Sequence, residues 1–409
     1  KFKEILSKSQ EELVEAELAM LKPYFFLNHS KIYKKLLNDL EMARMTFSDS
    51  VESIQEIMVM DEMPERRKTY LLERGNYDAH GEEVFPNTPE SVFVMPEDLP
   101  RNRLGFAKWL VHTEHPLTAR VAVNRYWQNF FGRGIVRTTE DFGNQGELPS
   151  HPELLDWLAV EFMESGWDVK ALQKLMVMSA TYRQSSKMSK ELRELDKENI
   201  LLARGPAVRL TAEMIRDNAL MTSGLLNTKI GGESVKPYQP AGLWKVNGNT
   251  YDQDTGDKLY RRSMYTIWKR SVPHPTLATF DSPSRSECTV RRQKTNTPLQ
   301  ALVLLNDPTF VEASKVIGEK ITRFDSIREG ISETFMKLTG RKPNDRELEI
   351  LLELQEKQYA EFKEHKGKAK GWLASGEYEL DVKLDANLIA ANAVVASAIM
   401  NSDATITKR

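Results

Sequence analysis

Five prolines between residues 61 and 101, at positions 64, 86, 89, 96 and 100, forbid a long helix in that stretch, and Gly75 and Gly81 add to the interruption. Before it, apolar residues recur at helical spacing: Leu13, Val14, Leu18 and Leu21 on one segment, Ile32, Leu36, Leu37, Leu40 and Met45 on the next. With Pro23 between the two segments, residues 1–62 read as an antiparallel helical hairpin. Residues 63–103 read as an extended connection with one short strand at Lys68–Glu73.

Residues 104–409 form the main domain. Its strongest helical block runs to about residue 182. Pro116 suits a first helical turn, Val123, Trp127, Phe130 and Phe131 follow on one face, and Gly132 ends the helix. Ser150 and Glu153 have capping-box spacing ahead of a helix whose buried side would be Leu154, Leu155, Trp157, Leu158 and Phe162. Asp168 caps the next helix, Thr211–Leu226 is another, and Pro298–Ala313 a further one. Asn344 and Glu347 repeat the capping pattern before a helix to about His365, and the last covers Ala386–Met400. Residues 229–297 differ: they are rich in Gly, Pro, Asn, Tyr and Trp, and Tyr260–Trp268 alternates enough for a strand. The expected fold is mainly α, a helical body with a minor β element and long ordered loops.

Charge narrows the function classes. The chain carries a formal net charge of −2, so nucleic acid is not expected as the main partner. A single cysteine, Cys288, excludes an intrachain disulfide and a Cys-rich metal site. Lys1–Gln10 is polar, without the apolar core of a secretory signal, and no stretch approaches the roughly 20 apolar residues of a membrane span.

Against that neutral background one region stands out. Between Lys258 and Lys294, nine basic residues face two acids, Asp281 and Glu287, for a local balance of +7 against −9 elsewhere. Arginine forks grip carboxylates, sulfates and phosphates at two points, and nearby aromatic rings can stack on sugars. Trp244, Arg261, Arg262, Tyr265, Arg270, Arg285, Arg291 and Arg292 are therefore the candidate ligand-binding residues, and an anionic polysaccharide the candidate ligand. The competing reading has these arginines pairing internally to hold loops in place.

Other candidates have ready structural explanations. Asp141, His151 and Glu153 supply acid–base residue types, but Asp141 fits a turn cap before Gly143 and Glu153 the capping box. His112 and His115 have metal-ligand types at helical spacing, yet Pro116 places both in a surface turn. Asp252–Asp257 has the oxygen-rich look of a cation loop without EF-hand spacing. Cys288 is expected to be buried and inert. No metal site is expected.

Several stretches carry a family resemblance: Arg74–Tyr77, Pro116–Trp127, Phe131–Val136, Asp141–Gly146, Pro149–Leu158, Ser179–Ser186, Arg261–Tyr265, Arg291–Leu302 and Leu305–Pro308. In order and spacing, from about residue 64 to 405, they resemble the planctomycete-type domain of unknown function found in cytochrome c-associated surface proteins. The resemblance implies the C-terminal part of a larger exported protein, located in the periplasm or at the cell surface, with a c-type haem on a separate module. Without a Cys-x-x-Cys-His motif this chain cannot attach that haem covalently, so no cofactor is expected here. The expected function is a binding or scaffolding module of a surface assembly, its partners an anionic glycan and other modules or subunits. The alternative is a polysaccharide-acting enzyme coupled to a cytochrome c module.

Overall fold

A computed structural model describes residues 2–408, without the side chains of Phe2, Val246, Asn247 and Lys366; Lys1 and Arg409 lie outside the described residues. The chain divides into two compact units, Lys1–Phe85 and Pro86–Arg409.

The first unit contains helix α1 (Glu15–Asn28) and helix α2 (Lys31–Glu52), which form the hairpin expected from the periodicity. Pro23 does not separate them, as expected, but sits inside α1. The break comes instead at His29–Ser30, where the Ser30 hydroxyl accepts the Tyr33 N–H and starts α2. Strand β1 (Thr69–Leu72) then pairs antiparallel with β2 (His80–Val84). Sequence periodicity had shown only the first of these two strands.

The second unit is mainly α. Helices α3 (Arg103–Leu110), α4 (Thr118–Phe131), α5 (Pro152–Glu164) and α6 (Val169–Met178) come first. Val123, Trp127 and Phe131 of α4 pack on Leu155, Leu158 and Phe162 of α5 and on Leu172 and Met176 of α6. Trp127 and Phe131, one turn apart, stack at 3.9 Å between ring centres. Gly132 closes α4 at a φ of 80°, as its position in the sequence predicted. Asn124, fully buried, holds the following loop by exchanging two hydrogen bonds of 2.9 Å with the Val136 backbone.

Three local expectations fail here. The α5 N-cap is His151, and Ser150 turns back to Ile135 O, so no capping box with Glu153 forms. Trp157 is half-exposed rather than buried. His115 is buried rather than in a surface turn: its Nδ1 accepts the Leu117 and Thr118 N–H groups at the start of α4, and its ring meets Trp109 edge-on.

Helices α7 (Ala212–Ser223), α8 (Pro298–Asn306), α9 (Pro308–Thr322), α10 (Ile327–Thr339), α11 (Asp345–Glu364) and α12 (Ala386–Met400) build the larger core. The predicted run Pro298–Ala313 is two helices, because Asp307 caps α9 and Pro308 occupies its first position. At the centre α12 crosses α9 closely: a side-chain carbon on Gly318 would stand 2.6 Å from both Ala393 N and Ile389 O. No helix among the described residues is long and apolar enough to cross a membrane. Strands β3 (Val208–Arg209) and β4 (Thr407–Lys408) pair antiparallel.

Residues 227–297 hold no strand among the described residues. The expected strand over Tyr260–Trp268 is replaced by a short 3-10 turn at Ser263–Tyr265 and isolated bridges, Asn227 to Arg261 and Val235 to Thr266. Alternation of side chains was present without a neighbouring strand to pair with.

Candidate functional site

A loop-rich segment stays in place only if its backbone groups find partners. Here the partners are charged side chains buried on helices. Arg216 of α7, 1% exposed, donates to Arg261 O at 2.9 Å, Leu259 O at 2.7 Å and the Ser263 hydroxyl at 3.1 Å. Asp217, next to it, accepts the Ser263 N–H at 2.8 Å and its hydroxyl at 2.6 Å. Burial pushes the Arg216 guanidinium down, while Asp217, Asp307 and Tyr251 act in the opposite sense. From α9, fully buried Glu312 accepts the Tyr260 hydroxyl at 2.9 Å and the Tyr378 N–H at 2.7 Å. Burial, and then Glu312, raise the Tyr260 phenol, so it remains a donor. Lys315 and Glu319 continue the same α9 face; Lys315 donates to Ser375 O and Tyr378 O, and Glu319 accepts Asp381 N–H.

Beyond these anchored turns the chain forms a loop from Asp281 to Thr295. The Asp281 carboxylate accepts the Thr295 N–H at 2.7 Å and its hydroxyl at 2.8–2.9 Å, closing the two ends together as in an Ω-loop. Gln300 of α8 donates to Thr279 O and the Thr295 hydroxyl, and accepts from Arg209. Inside the loop the Trp268 indole donates to Ser284 O at 2.8 Å, and the Arg285 guanidinium lies over the Trp268 ring at 4.7 Å. Asp281 and Arg285 have φ values of 63° and 60°, a region that non-glycine residues seldom occupy.

The nine basic residues of the 258–294 stretch have separate fates. Arg261 is buried beneath Tyr265, at 3.8 Å from the ring centre, and its donors are given to the carbonyls of Lys229, Gly231 and Glu233. Four more face carboxylates: Lys258 with Asp254 at 3.9 Å, Arg262 with Asp217 at 3.9 Å, Arg291 with Glu140 at 3.4 Å and Arg292 with Glu213 at 2.7 Å. Burial works to raise the Glu213 carboxyl, but Arg292, neighbouring backbone and Thr211 outweigh it and hold the group below its ordinary value. Lys269 lies 4.6 Å from the Trp244 ring centre with its Nζ buried and without a hydrogen-bond partner. Tyr265 gives its hydroxyl to the Gly231 N–H as acceptor.

Three cations of the stretch have no carboxylate partner among the described residues: Arg270, Arg285 and Lys294. Lys294 is exposed overall, but partial burial of its charged end pushes the ammonium down. Cys288, expected to be buried, is exposed on the same loop. Three cation–aromatic stacks between residues 244 and 285 exceed the usual density of about one per 70–80 residues; those of Arg261 and Lys269 are internal, and that of Arg285 on Trp268 has its cation on an exposed residue.

The acid–base candidates are not gathered with them. The Asp141 carboxylate accepts the Gly143 N–H at 2.7 Å, the turn cap foreseen from sequence. His151 shares a 3.0 Å hydrogen bond with Ser150 beside a cavity of about 20 Å³ that includes Arg133 and Glu198. Glu153 is exposed on the first turn of α5. No hydrogen bond or ion pair among the described residues joins any two of the three. In the Asp252–Asp257 turn, Asp254 accepts the Lys236 N–H, and no group of three or more candidate metal ligands occurs among the described residues.

A family model described as "PSD1: Protein of unknown function (DUF1553)" matches residues 102–355, more than half of the chain. The chain belongs to the PSD1 family. The match spans α3 through most of α11 and so includes the latched loop and the anchors on α7 and α9. No curated protein and no solved structure matches the chain. Sequence reading missed Arg216, Asp217 and Glu312 as anchors, although each is a charge set among apolar helix neighbours such as Ile215, Ala219, Phe310 and Ala313.

Proposed function

We propose that this PSD1 chain is a binding module of an extracytoplasmic bacterial assembly, and that it holds an anionic polysaccharide at Arg285 on Trp268, with Arg270 and Lys294 of the same basic segment as further cations. One observation carries the reading. The loop is latched at Asp281–Thr295 with Arg285 at positive φ, and it presents that guanidinium over the Trp268 ring with no carboxylate partner among the described residues. A guanidinium on an indole offers a two-point grip for a uronate carboxylate or a sulfate, with the ring edge for the sugar. The expected location, periplasm or cell surface, and the association with a cytochrome c-bearing module rest on the family resemblance. Binding is preferred to polysaccharide chemistry because Asp141, His151 and Glu153 are each engaged locally or turned to solvent.

Binding of polygalacturonate and of a sulfated polymer, measured at low and high salt, tests this. The proposal expects salt-sensitive binding that falls at least tenfold in the Arg270→Ala/Arg285→Ala variant. Equal binding by wild type and variant, or none to either polymer, would remove it.

A further inference from the structure

The N-terminal unit wears its apolar side chains outward. On α2, Ile32 is 76% exposed, Leu36 61%, Leu40 46%, Phe47 72% and Val51 41%. With Ala43 these recur at intervals of 4, 4, 3, 4 and 4, one stripe spanning about 100° of the helix. The start of α2 meets α1 at one edge of the stripe, on the helical face that Val51 occupies further along. Contact with α1 runs through Tyr33, whose ring stacks on Phe26 at 5.4 Å.

The charges of α2 run against its dipole. Lys31, Lys34 and Lys35 occupy its start and Asp49 and Glu52 its end, with no acid in the first turn and no base in the last. An isolated helix is weakened by that order. A second α2 lying antiparallel sets each lysine-rich end level with an acidic end, which turns the same order into an attraction. Lys34 meanwhile donates to Asn28 O at 2.8 Å, fixing the hairpin turn.

The stripe also maps onto itself. Reversing α2 about the point between Glu41 and Met42 exchanges Ile32 with Val51, Leu36 with Phe47 and Leu40 with Ala43. The same reversal exchanges Lys31 with Glu52, Lys34 with Asp49 and Asp39 with Arg44, each a basic residue for an acidic one. A twofold interface requires a surface that complements its own reversed copy, and this helix has one in both apolar pattern and charge.

We propose that α2 is a self-association helix whose occupant is α2 of a second copy of this chain, packed antiparallel about a twofold axis at Glu41–Met42. The full chain in sedimentation velocity should then move from about its 46.9 kDa monomer mass to twice that value as concentration rises. Leu36→Glu and Phe47→Glu should each abolish the heavier species while leaving the helical circular dichroism unchanged. A spin label at Val51→Cys in a Cys288→Ser background reads orientation. Antiparallel packing sets the two labelled positions about 28 Å apart along the axis at 1.5 Å per residue, and a parallel pair sets them side by side. The proposal is overturned by a monomer at every concentration, by a dimer indifferent to both glutamates, or by a short label separation. An α2 stripe covered by another protein, or by other parts of a longer chain, would show up as the first of these outcomes.

Discussion

Arg216 is the residue on which the placement of the basic segment depends, and its removal has a calculable effect. Arg216→Met keeps an unbranched side chain of similar reach but deletes the donors to Leu259 O, Arg261 O and the Ser263 hydroxyl. Hydrogen bonds from a charged donor contribute about 1.5–3 kcal/mol each. Against that sum stands the cost of burying the guanidinium, whose Nε already lacks a partner. Removing one partner from a buried charged network nets about 3–5 kcal/mol of destabilisation. At about 2 °C per kcal/mol, the lower end of the range for larger domains, the melting temperature should fall by roughly 6–10 °C. Hydrogen exchange supplies the local readout: the amides of Ser263, Val235 and Ile267 should lose protection before the α9–α12 core does. A melting shift below about 2 °C, with those amides still protected, would refute the claim that Arg216 ties this segment to α7.

Other outcomes follow from the same contacts. Gly376→Ala should destabilise by about 3 kcal/mol in urea unfolding, because φ is +77° and the new carbon would stand 2.1–2.5 Å from the Glu312 carboxylate. Thr295→Val, nearly isosteric, should cost about 1–2 kcal/mol and make the 281–295 loop cleavable by trypsin at Arg285 under conditions that spare the wild type. Glu213 has a folded value below its unfolded 4.5, so its bond to Arg292 contributes stability that is present above pH 4.5 and lost as pH falls through the folded value. The acid limb of a pH–stability curve should therefore shrink in Glu213→Gln. His274 gives a second pH signature. Burial, then Arg216, depress its imidazole below 6.5, so stability is whole above that pH and declines below it, a decline absent from a neutral replacement that keeps the fold.

Much of the helical body was legible in the sequence, because caps and stops are local. Asp168 and Asn344 each accept the N–H expected of a cap, and Gly132 ends its helix at positive φ. What failed was set by tertiary context. Ser150 lost its capping role to a backbone carbonyl fifteen residues away, and Pro23 was absorbed into a helix. The candidate site was half legible. Charge counting picked out the basic segment, but composition cannot tell Arg261, spent on three carbonyls, from Arg285, left on an indole. Nor can it show Arg216, Asp217 and Glu312, which reach the segment from helices up to 52 residues away in sequence. Their signal was present as charges within apolar faces, and the buried partner each would meet was not.

The most direct test of the account is calorimetric titration of the purified chain with a uronic oligosaccharide, wild type beside Arg285→Ala. Among the described residues the Arg285 guanidinium is engaged by its stack on Trp268, so the variant should fold and melt like the parent. The account predicts binding by the parent, weakened at least tenfold by the substitution and weakened again by salt. Undiminished binding in Arg285→Ala would contradict it.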